Sequence, residues 1–246
     1  MKIKYVGKCL FITGDGGRKT LVVGDMHLGY EEMLNRSGVF IGRLMFKEHI
    51  KYFKKVFIEI GKVDEIVLLG DVKHDFGKAG EQEWNNILSL FDYFFENINK
   101  KGKIVITRGN HDNFLINVVN KFRRKSEGEI ELVDFYILGG VAYTHGNKNN
   151  KRMFDRDVKL WVLGHAHPAV KLKEGIKIEK YKCFLVGKYK SKKIIVVPSF
   201  FDYVEGSDPR ENGLGLAWEF DYANFDVKLV GENLEVFDFG KLKKLK

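Results

Sequence analysis

Five segments of the chain contain histidine, aspartate or asparagine side chains that could bind a metal ion or a phosphate group. Each segment follows a short run rich in valine, isoleucine and leucine, and four of the five contain a glycine before the first polar residue. The segments read GDMH (24–27), GD (70–71), GNHD (109–112), HG (145–146) and GHAH (164–167). Glycine allows the backbone to turn sharply and to approach a bound ion closely. The recurring pattern indicates one site assembled from several strand ends.

The spacing within two of these segments favours metal binding by pairs of side chains. Residues two apart in an extended chain project to the same side. Asp25 and His27 can therefore bind one ion together. His165 and His167 can both face the site, and the geometry of their loop decides whether they share an ion.

The ligand chemistry points to two divalent ions. The candidate ligands are Asp25, His27, Asp71, Asn110, His145, His165 and His167. Imidazole, carboxylate and amide groups without a thiolate favour manganese, iron, zinc or nickel over a structural cysteine–zinc site. Seven ligands are too many for one tetrahedral ion, and they suit two ions about 3.5 to 4 Å apart that share a carboxylate. Asp71 is the natural bridge because it stands alone between the paired motifs.

The segments that must position these residues alternate between strand and helix. Short, nearly continuous apolar runs, typical of strands buried on both faces, occur at 21–23, 66–69, 104–107, 141–144, 160–163 and 194–197. Apolar residues spaced three and four apart predict helices over 46–60 and 84–98. In open α/β sheets the functional crevice lies beyond the carboxyl ends of the strands, so the five motifs are expected at one edge.

Glycine turns and further apolar runs complete the predicted architecture. Gly14–Gly17 and Gly139–Gly140 each separate two strand candidates and predict hairpins. The final third adds strand candidates at 181–186, 215–220 and 225–230, with little helix. Strand–helix alternation followed by hairpins predicts an α/β fold of two packed mixed sheets with helices outside. No repeat or linker is visible, so a single domain over 1–246 is expected.

Composition adds a basic surface and excludes some environments. The net charge is +9, which favours polyanionic partners such as nucleic acid, although a solvated lysine-rich surface explains it equally well. Basic clusters occur at 121–125, 148–152, 188–193 and 241–246. No apolar run is long enough to cross a membrane, and no signal peptide is visible. Cys9 and Cys183 form no disulfide pattern, so a cytoplasmic location is expected.

The five motifs together resemble the calcineurin-like metallophosphoesterase superfamily. Its pattern of DxH, GDxx(D/H), GNH(D/E), H and GHxH is met in order by GDMHLG (24–29), GDVKH (70–74), GNHD (109–112), THG (144–146) and GHAH (164–167). The first two blocks look most like the small SbcD-related, ICC-like phosphoesterases. The resemblance implies a four-layer α/β/β/α sandwich, which agrees with the pattern of elements, and two bound divalent ions, with manganese the first candidate.

The resemblance also implies a role for each residue. Asp25, His27 and His167 would bind the first metal, and Asn110, His145 and His165 the second, with Asp71 shared. His111 would contact a phosphate oxygen or protonate the leaving group, and Asp112 would orient its ring.

Two features separate the chain from better-known branches. His74 stands where SbcD-type nucleases usually have aspartate, and it is either a ligand-supporting or substrate residue or an ordinary loop histidine. The chain is too short for the capping domain of those nucleases, so none is expected.

The predicted activity is hydrolysis of phosphodiester bonds by a water activated between two metals, with nucleic acid as one candidate substrate. Hydrolysis of phosphomonoesters or cyclic nucleotides is the alternative. A non-catalytic binding module on the same fold is disfavoured because no ligand of the pattern is missing. The sequence leaves the physiological substrate, the oligomeric state and the role of the basic tail open.

Overall fold

A computed structural model of the chain describes residues 1–124 and 128–245. Lys125 and Lys246, which belong to two of the basic clusters, lie outside the described residues. The described chain forms two mixed β-sheets packed face to face, with helices against the outer face of the first sheet. The predicted architecture of two mixed sheets with flanking helices is therefore confirmed.

The first sheet comes from the first half of the chain. Its strands, in spatial order, are β1 (Lys2–Val6), β2 (Cys9–Thr13), β3 (Lys19–Val23), β4 (Val63–Leu68), β5 (Ile98–Thr107) and β6 (Glu129–Val133). The first three pair antiparallel through hairpins, and β3 to β6 are parallel. The hairpin predicted at Gly14–Gly17 is present. The parallel arrangement brings the ends of β3, β4 and β5 to one edge.

Among residues 1–124 and 128–245, four α-helices accompany this sheet. They are α1 (Tyr30–Arg36), α2 (Met45–Ile60), α3 (Glu81–Glu96) and α4 (Leu115–Arg123). The apolar stripes of α2 and α3 face the sheet, as Phe53 and Phe91 show by being fully buried. No helix among the described residues is both long enough and apolar enough to cross a membrane.

The predicted extent of the second long helix was wrong at its C-terminal end. The Asn97 amide hydrogen-bonds the Phe94 carbonyl, which closes the last turn, and Ile98 pairs with Val63 as the first residue of β5. Ile98 is buried as a residue of β5. Its spacing of four from Phe94 therefore does not indicate that the helix continues.

The second sheet comes from the second half of the chain. Its strands, in spatial order, are β14 (Val236–Lys241), β13 (Asp226–Val230), β11 (Lys177–Tyr189), β12 (Lys192–Val196), β9 (Leu160–Leu163), β8 (Val141–Thr144) and β7 (Tyr136–Leu138), and β10 (Ala169–Glu174) pairs with β11. The parallel strands β8, β9 and β12 lie at its centre. The hairpin predicted at Gly139–Gly140 joins β7 to β8.

The outer face of the second sheet is covered differently from that of the first. Within residues 1–124 and 128–245, its helical cover consists of 3-10 turns, including Lys151–Phe154 and Tyr222–Asn224. The strand predicted at 215–220 is absent, because this segment packs across the sheet instead of pairing with it. Trp218 lies 5.1 Å from Trp161, measured between ring centroids. The apolar residues that suggested a strand are therefore buried as a loop.

A third apolar layer lies between the sheets and fixes their relative position. It includes Val22, Val67 and Val105 from the first sheet and Val162 and Ile195 from the second, all fully buried. Burial of each such side chain contributes about 1.5–3 kcal/mol. The ends of the central strands of both sheets are thereby held at one common edge.

Candidate metal centre

The loops after β3 and β4 hold the first two motifs side by side. The amides of Met26 and His27 both donate to the Asp71 carbonyl, at 3.0 and 2.9 Å, and Leu28 donates to Val72 at 2.9 Å. These bonds continue the parallel pairing of the strands beyond their ends. Asp25, His27 and Asp71 are consequently fixed next to one another, and all three are buried.

One group of possible ligands combines the two sheets. The ligand atoms of Asp25, His27 and His167 all lie within 4.8 Å of one another. The Asp25 Oδ1 is 3.5 Å from the His167 Nε2. The carboxylate of Asp25 also accepts the His165 amide hydrogen, with N–O distances of 3.0 and 3.1 Å. The loop after β9 is thus tied directly to the loop after β3.

A second group lies beside the first. The ligand atoms of Asp71, His145 and His165 are also within 4.8 Å of one another. The His145 Nε2 lies 3.0 Å from the His165 Nδ1 and 3.0 Å from the Asn110 Oδ1. The His145 Nδ1 donates to the Leu69 carbonyl at 2.7 Å, so its Nε2 is the nitrogen that faces the other donor atoms.

Asp71 connects the two groups. Its Oδ2 is 3.8 Å from the His27 Nε2 and 3.4 Å from the His145 Nε2. Its Oδ1 accepts the His111 amide hydrogen at 2.9 Å. One carboxylate oxygen therefore faces both groups, as a shared ligand must.

The donor atoms fit divalent cations. Ligands bonded to one ion at about 2.0–2.2 Å lie about 3.0–3.5 Å apart, which matches the close contacts between imidazole nitrogens and oxygens described above. Burial lowers the pKa of His165 to about 4 and that of His27 well below its usual range, so both rings are neutral and able to bind metal. Burial, together with the nearby carboxylates of Asp25 and Asp112, raises the pKa of Asp71 to about 8. Cations would offset this crowding of carboxylates.

The backbone at these residues is held in an uncommon conformation. His27, Asp71, His165 and His167 have positive φ angles of 48°, 46°, 65° and 42°. Each such residue costs on the order of 1–3 kcal/mol and is typical of functional sites. The surrounding structure therefore stabilises a ligand arrangement that the local sequence disfavours.

Gly109 shows how closely the loops approach. A Cβ atom there would lie 2.1 Å from the Asp71 Oδ1 and 2.4 Å from the Asp71 amide nitrogen. Glycine before Asn110 is therefore required by the contact between the loops after β4 and β5.

His111 lies next to the ligand groups, but its predicted partner was wrong. Its Nδ1 donates to the His74 carbonyl, 2.5 Å away, so the ring is oriented by this backbone oxygen. Asp112 is fully buried and instead accepts the Val72 and Gly109 amides, at 3.0 and 2.8 Å. The Asp112 carboxylate is thus hydrogen-bonded to backbone amides, and these bonds hold the loop that carries His111 in place.

His74 joins a third group of nearby donor atoms with His27 and His111. Its Nδ1 lies 3.4 Å from the His27 Nδ1, and its amide donates to the Glu83 Oε1 at 2.8 Å. The His74 ring therefore supports His27, and its carbonyl supports His111. Glu83 was not singled out from the sequence because it lies within an ordinary helix.

The sequence interpretation also missed Phe201. Its amide donates to the Asp25 carbonyl at 3.1 Å, and its ring centroid lies 5.2 Å from that of His27. The sequence did contain a signal for Phe201, because residues 198–201 follow the sixth apolar run. Functional residues are expected after the carboxyl ends of buried strands, and this expectation applies to the end of β12 as well.

The fold resembles that of a solved structure. A search of curated proteins finds no match. Among solved structures, the Pseudomonas putida nuclease MPE has a similar fold, with a TM-score of 0.60 and 17% identity over 94% of this chain and 92% of that one. A single mutant of Vps29 from Entamoeba histolytica matches with a TM-score of 0.35 and 12% identity over 90% of this chain and 99% of that one.

The family model for calcineurin-like phosphoesterase matches residues 18–169, a range that contains all five motifs. A metal-dependent hydrolase of phosphoester bonds is consistent with the two His/Asp groups at the strand ends. The chain belongs to the calcineurin-like phosphoesterase family.

Proposed function

We propose that this chain hydrolyses phosphodiester bonds at a centre of two divalent cations. The observation that carries the proposal is the position of the Asp71 Oδ2 between the His27 and His145 Nε2 atoms, at 3.8 and 3.4 Å. A carboxylate shared by two ligand groups is the arrangement used by two-metal hydrolases. Asp25, His27 and His167 would hold one cation, and Asn110, His145 and His165 would hold the other.

The cations, when bound, would lower the pKa of a water molecule and neutralise charge on the phosphate oxygens. Mixed imidazole, carboxylate and amide donors suit manganese, zinc, iron or nickel, and the family resemblance makes manganese the first candidate. The chain keeps His27 and His165 neutral through burial, so their lone pairs are available at neutral pH. The hydrogen bond from His145 to Leu69 fixes which nitrogen of that ring faces the site.

His111 would act on the leaving group. Its Nδ1 is bound to the His74 carbonyl, so Nε2 is the nitrogen that can transfer a proton to the departing oxygen. The carbonyl also favours the protonated ring, which opposes the lowering of the His111 pKa by burial. General acid catalysis of this kind contributes typically about 10²- to 10⁴-fold in rate.

Nucleic acid is the proposed source of the phosphodiester. The net charge of +9 supports attraction of a polyanion. The Pseudomonas putida protein with a similar fold is a nuclease, which favours the same class of substrate.

The proposal is tested by stripping the protein with EDTA and restoring manganese, zinc, nickel or iron separately. Hydrolysis of an activated phosphodiester, an activated phosphomonoester, cyclic nucleotides, DNA and RNA is then measured. We expect metal-dependent hydrolysis of the activated diester that exceeds hydrolysis of the monoester. Bound metal without hydrolysis of any phosphoester would favour a non-catalytic module instead.

The role of His111 has its own test. His111→Ala, loaded with metal, should lose about 10²- to 10⁴-fold of diester hydrolysis while it still binds two ions. Ile116→Ala, which truncates a 39% exposed side chain on α4 just after the same loop, is the matched control and should retain full activity. Normal turnover by metal-loaded His111→Ala would show that another group protonates the leaving oxygen.

A further inference from the structure

An exposed aromatic ring lies directly against the proposed general acid. The Phe76 ring stacks on the His111 ring, with centroids 3.8 Å apart and an angle of 28° between the planes. Phe76 is nevertheless 57% exposed. Because this exposed ring is stacked on His111, it offers a planar apolar surface to a ligand that reaches that residue.

A second aromatic surface borders the site at His27 and His74. Tyr30, Phe201 and Tyr203 form a connected set, with the Tyr30 centroid 4.8 Å from that of Phe201 and 5.4 Å from that of Tyr203. Tyr30 and Phe201 also contact the rings of His74 and His27, respectively. Tyr203 is 45% exposed, so this surface extends from the buried ligands into solvent.

Basic side chains lie in the same loops. Lys78 is two residues from Phe76, Arg108 is two residues before Asn110, and Lys148 is three residues after His145; all three are exposed. In the part of the chain that the structure describes, none of the three forms an ion pair. Cations that are not neutralised by protein carboxylates are available to phosphate groups.

From this combination we propose that Phe76 and Tyr203 stack against unpaired bases on either side of the scissile phosphate, so that the substrate is single-stranded nucleic acid. The inference rests on the proposed phosphodiesterase function and narrows its substrate. Aromatic rings and nearby cations are the two elements by which proteins bind single strands without sequence preference. Because the Phe76 ring lies 3.8 Å from the His111 ring, measured between centroids, it is next to any phosphate that reaches His111.

Double-stranded nucleic acid fits this surface less well. The faces of its bases are covered by neighbouring base pairs, so an aromatic ring can reach them only after unpairing, which costs a few kcal/mol. A lipid phosphodiester would use apolar contacts but would gain nothing from planar stacking. The flat, face-on contact between Phe76 and His111 therefore favours a planar partner that continues the stack.

The test separates base stacking from phosphate attraction. Fluorescence anisotropy measures binding of the full chain, with its metals, to three end-labelled phosphorothioate ligands that resist hydrolysis. They are a single strand of twelve nucleotides, the corresponding duplex, and a strand of equal charge whose central nucleotides are abasic. We expect the intact single strand to bind about 5- to 100-fold more tightly than the abasic strand.

Single substitutions identify the side chains that cause the preference for the intact strand over the abasic one. Phe76→Ala should remove most of the preference for the intact strand over the abasic one, and Phe76→Trp should restore it. Phe239→Ala, which truncates a 39% exposed phenylalanine on β14, is the matched control and should keep the preference. Tyr203→Ala should lower the preference by a smaller factor, because that ring lies further from His111.

Equal affinity for the intact and abasic strands would overturn the inference, and so would an unchanged preference in Phe76→Ala. Binding of the duplex as tight as that of the single strand would also overturn it. Hydrolysis of bis(4-nitrophenyl) phosphate by the wild-type chain is measured in parallel. Its absence would contradict the proposed function itself, whatever the binding preferences are.

Discussion

The two ligand groups are held in place by different means. His145, in the group with Asn110 and His165, is fully buried and bound to the Leu69 carbonyl, so the backbone at the end of β4 sets the orientation of its ring. His27, in the group with Asp25 and His167, has no such backbone partner for its Nδ1; the nearest polar contact of that atom among the described residues is the His74 ring, at 3.4 Å. The second group is therefore fixed by the sheet, and the first depends on side chains and on a loop.

That loop follows β12 and is held by two lysines. Lys182 donates to Ser199, Phe201 and Val204, and Lys8 donates to the Phe200 carbonyl and to Asp202. Between them the ammonium groups bind the backbone on both sides of Phe201, the residue that packs against His27. Substitutions of residues far from the first group in sequence should therefore change that group while leaving the second intact.

The largest loss of diester hydrolysis is expected from substitution of Asp71, the residue that the two ligand groups share. Asp71→Asn keeps the shape of the side chain but removes the shared negative charge, so both groups should bind metal more weakly. We expect loss of roughly 10³-fold in diester hydrolysis, since a metal centre supplies several kcal/mol of charge stabilisation. Metal content is measured alongside. Asp64→Asn, at the other end of β4, is the control and should keep two ions; two tightly bound ions in Asp71→Asn would contradict the shared role.

A smaller loss is expected from crowding the same carboxylate. In Gly109→Ala, the new methyl group collides with Asp71, so the side chain must move away from both groups. Metal affinity measured by calorimetry should fall about 10- to 100-fold, as it does when ligand positioning is disturbed. Gly213→Ala, where no atom lies within 4 Å of the added carbon, should behave like wild type. Unchanged affinity in Gly109→Ala would show that the loops can separate freely.

Removal of the His74 side chain should weaken metal binding by one ligand group and not by the other. His74→Ala deprives the His27 ring of its polar neighbour, so affinity for one of the two ions should fall by about 10-fold. The other ion should bind as in wild type, because His145 keeps its bond to Leu69. Titration of the stripped protein with manganese should therefore change from one to two resolved steps. An equal loss at both steps would remove the distinction between the groups.

The smallest effect on metal binding is expected from substitution of Lys182, which holds the loop after β12. Lys182→Met has a similar length but cannot donate to the three oxygens, so the loop carrying Phe201 should loosen. We expect a few-fold weaker binding of one ion and a loss of about 1.5–3 kcal/mol in the free energy of unfolding. Chemical denaturation and metal titration measure the two effects. Lys188→Met, which changes an exposed lysine of the same strand, is the control; a loss of both ions in Lys182→Met would mean that the loop supports the whole site.

Much of this molecule could be predicted from the sequence because its signals are local. Buried parallel strands appear as short apolar runs, and polar residues after them identify the functional edge, as at Asp25 and His145. Local signals fail where tertiary packing decides. The segment at 215–220 has the composition of a strand but covers the sheet as a loop, and Asp112 was assigned to His111 although backbone amides 3 and 40 residues away bind it. The metal assignments of the individual residues stay predictions.

The positive φ angles at His27, Asp71, His165 and His167 have a consequence for the history of such chains. At these positions the backbone would be relaxed by glycine or asparagine, and the exchange is opposed by the metal-binding chemistry of the side chains and by contacts such as that of Asp71 with the His111 amide. A descendant released from hydrolysis would gain stability from those substitutions and would accumulate them early. Glycine or asparagine at these four positions would therefore indicate a relative that has kept the fold but lost the hydrolytic activity.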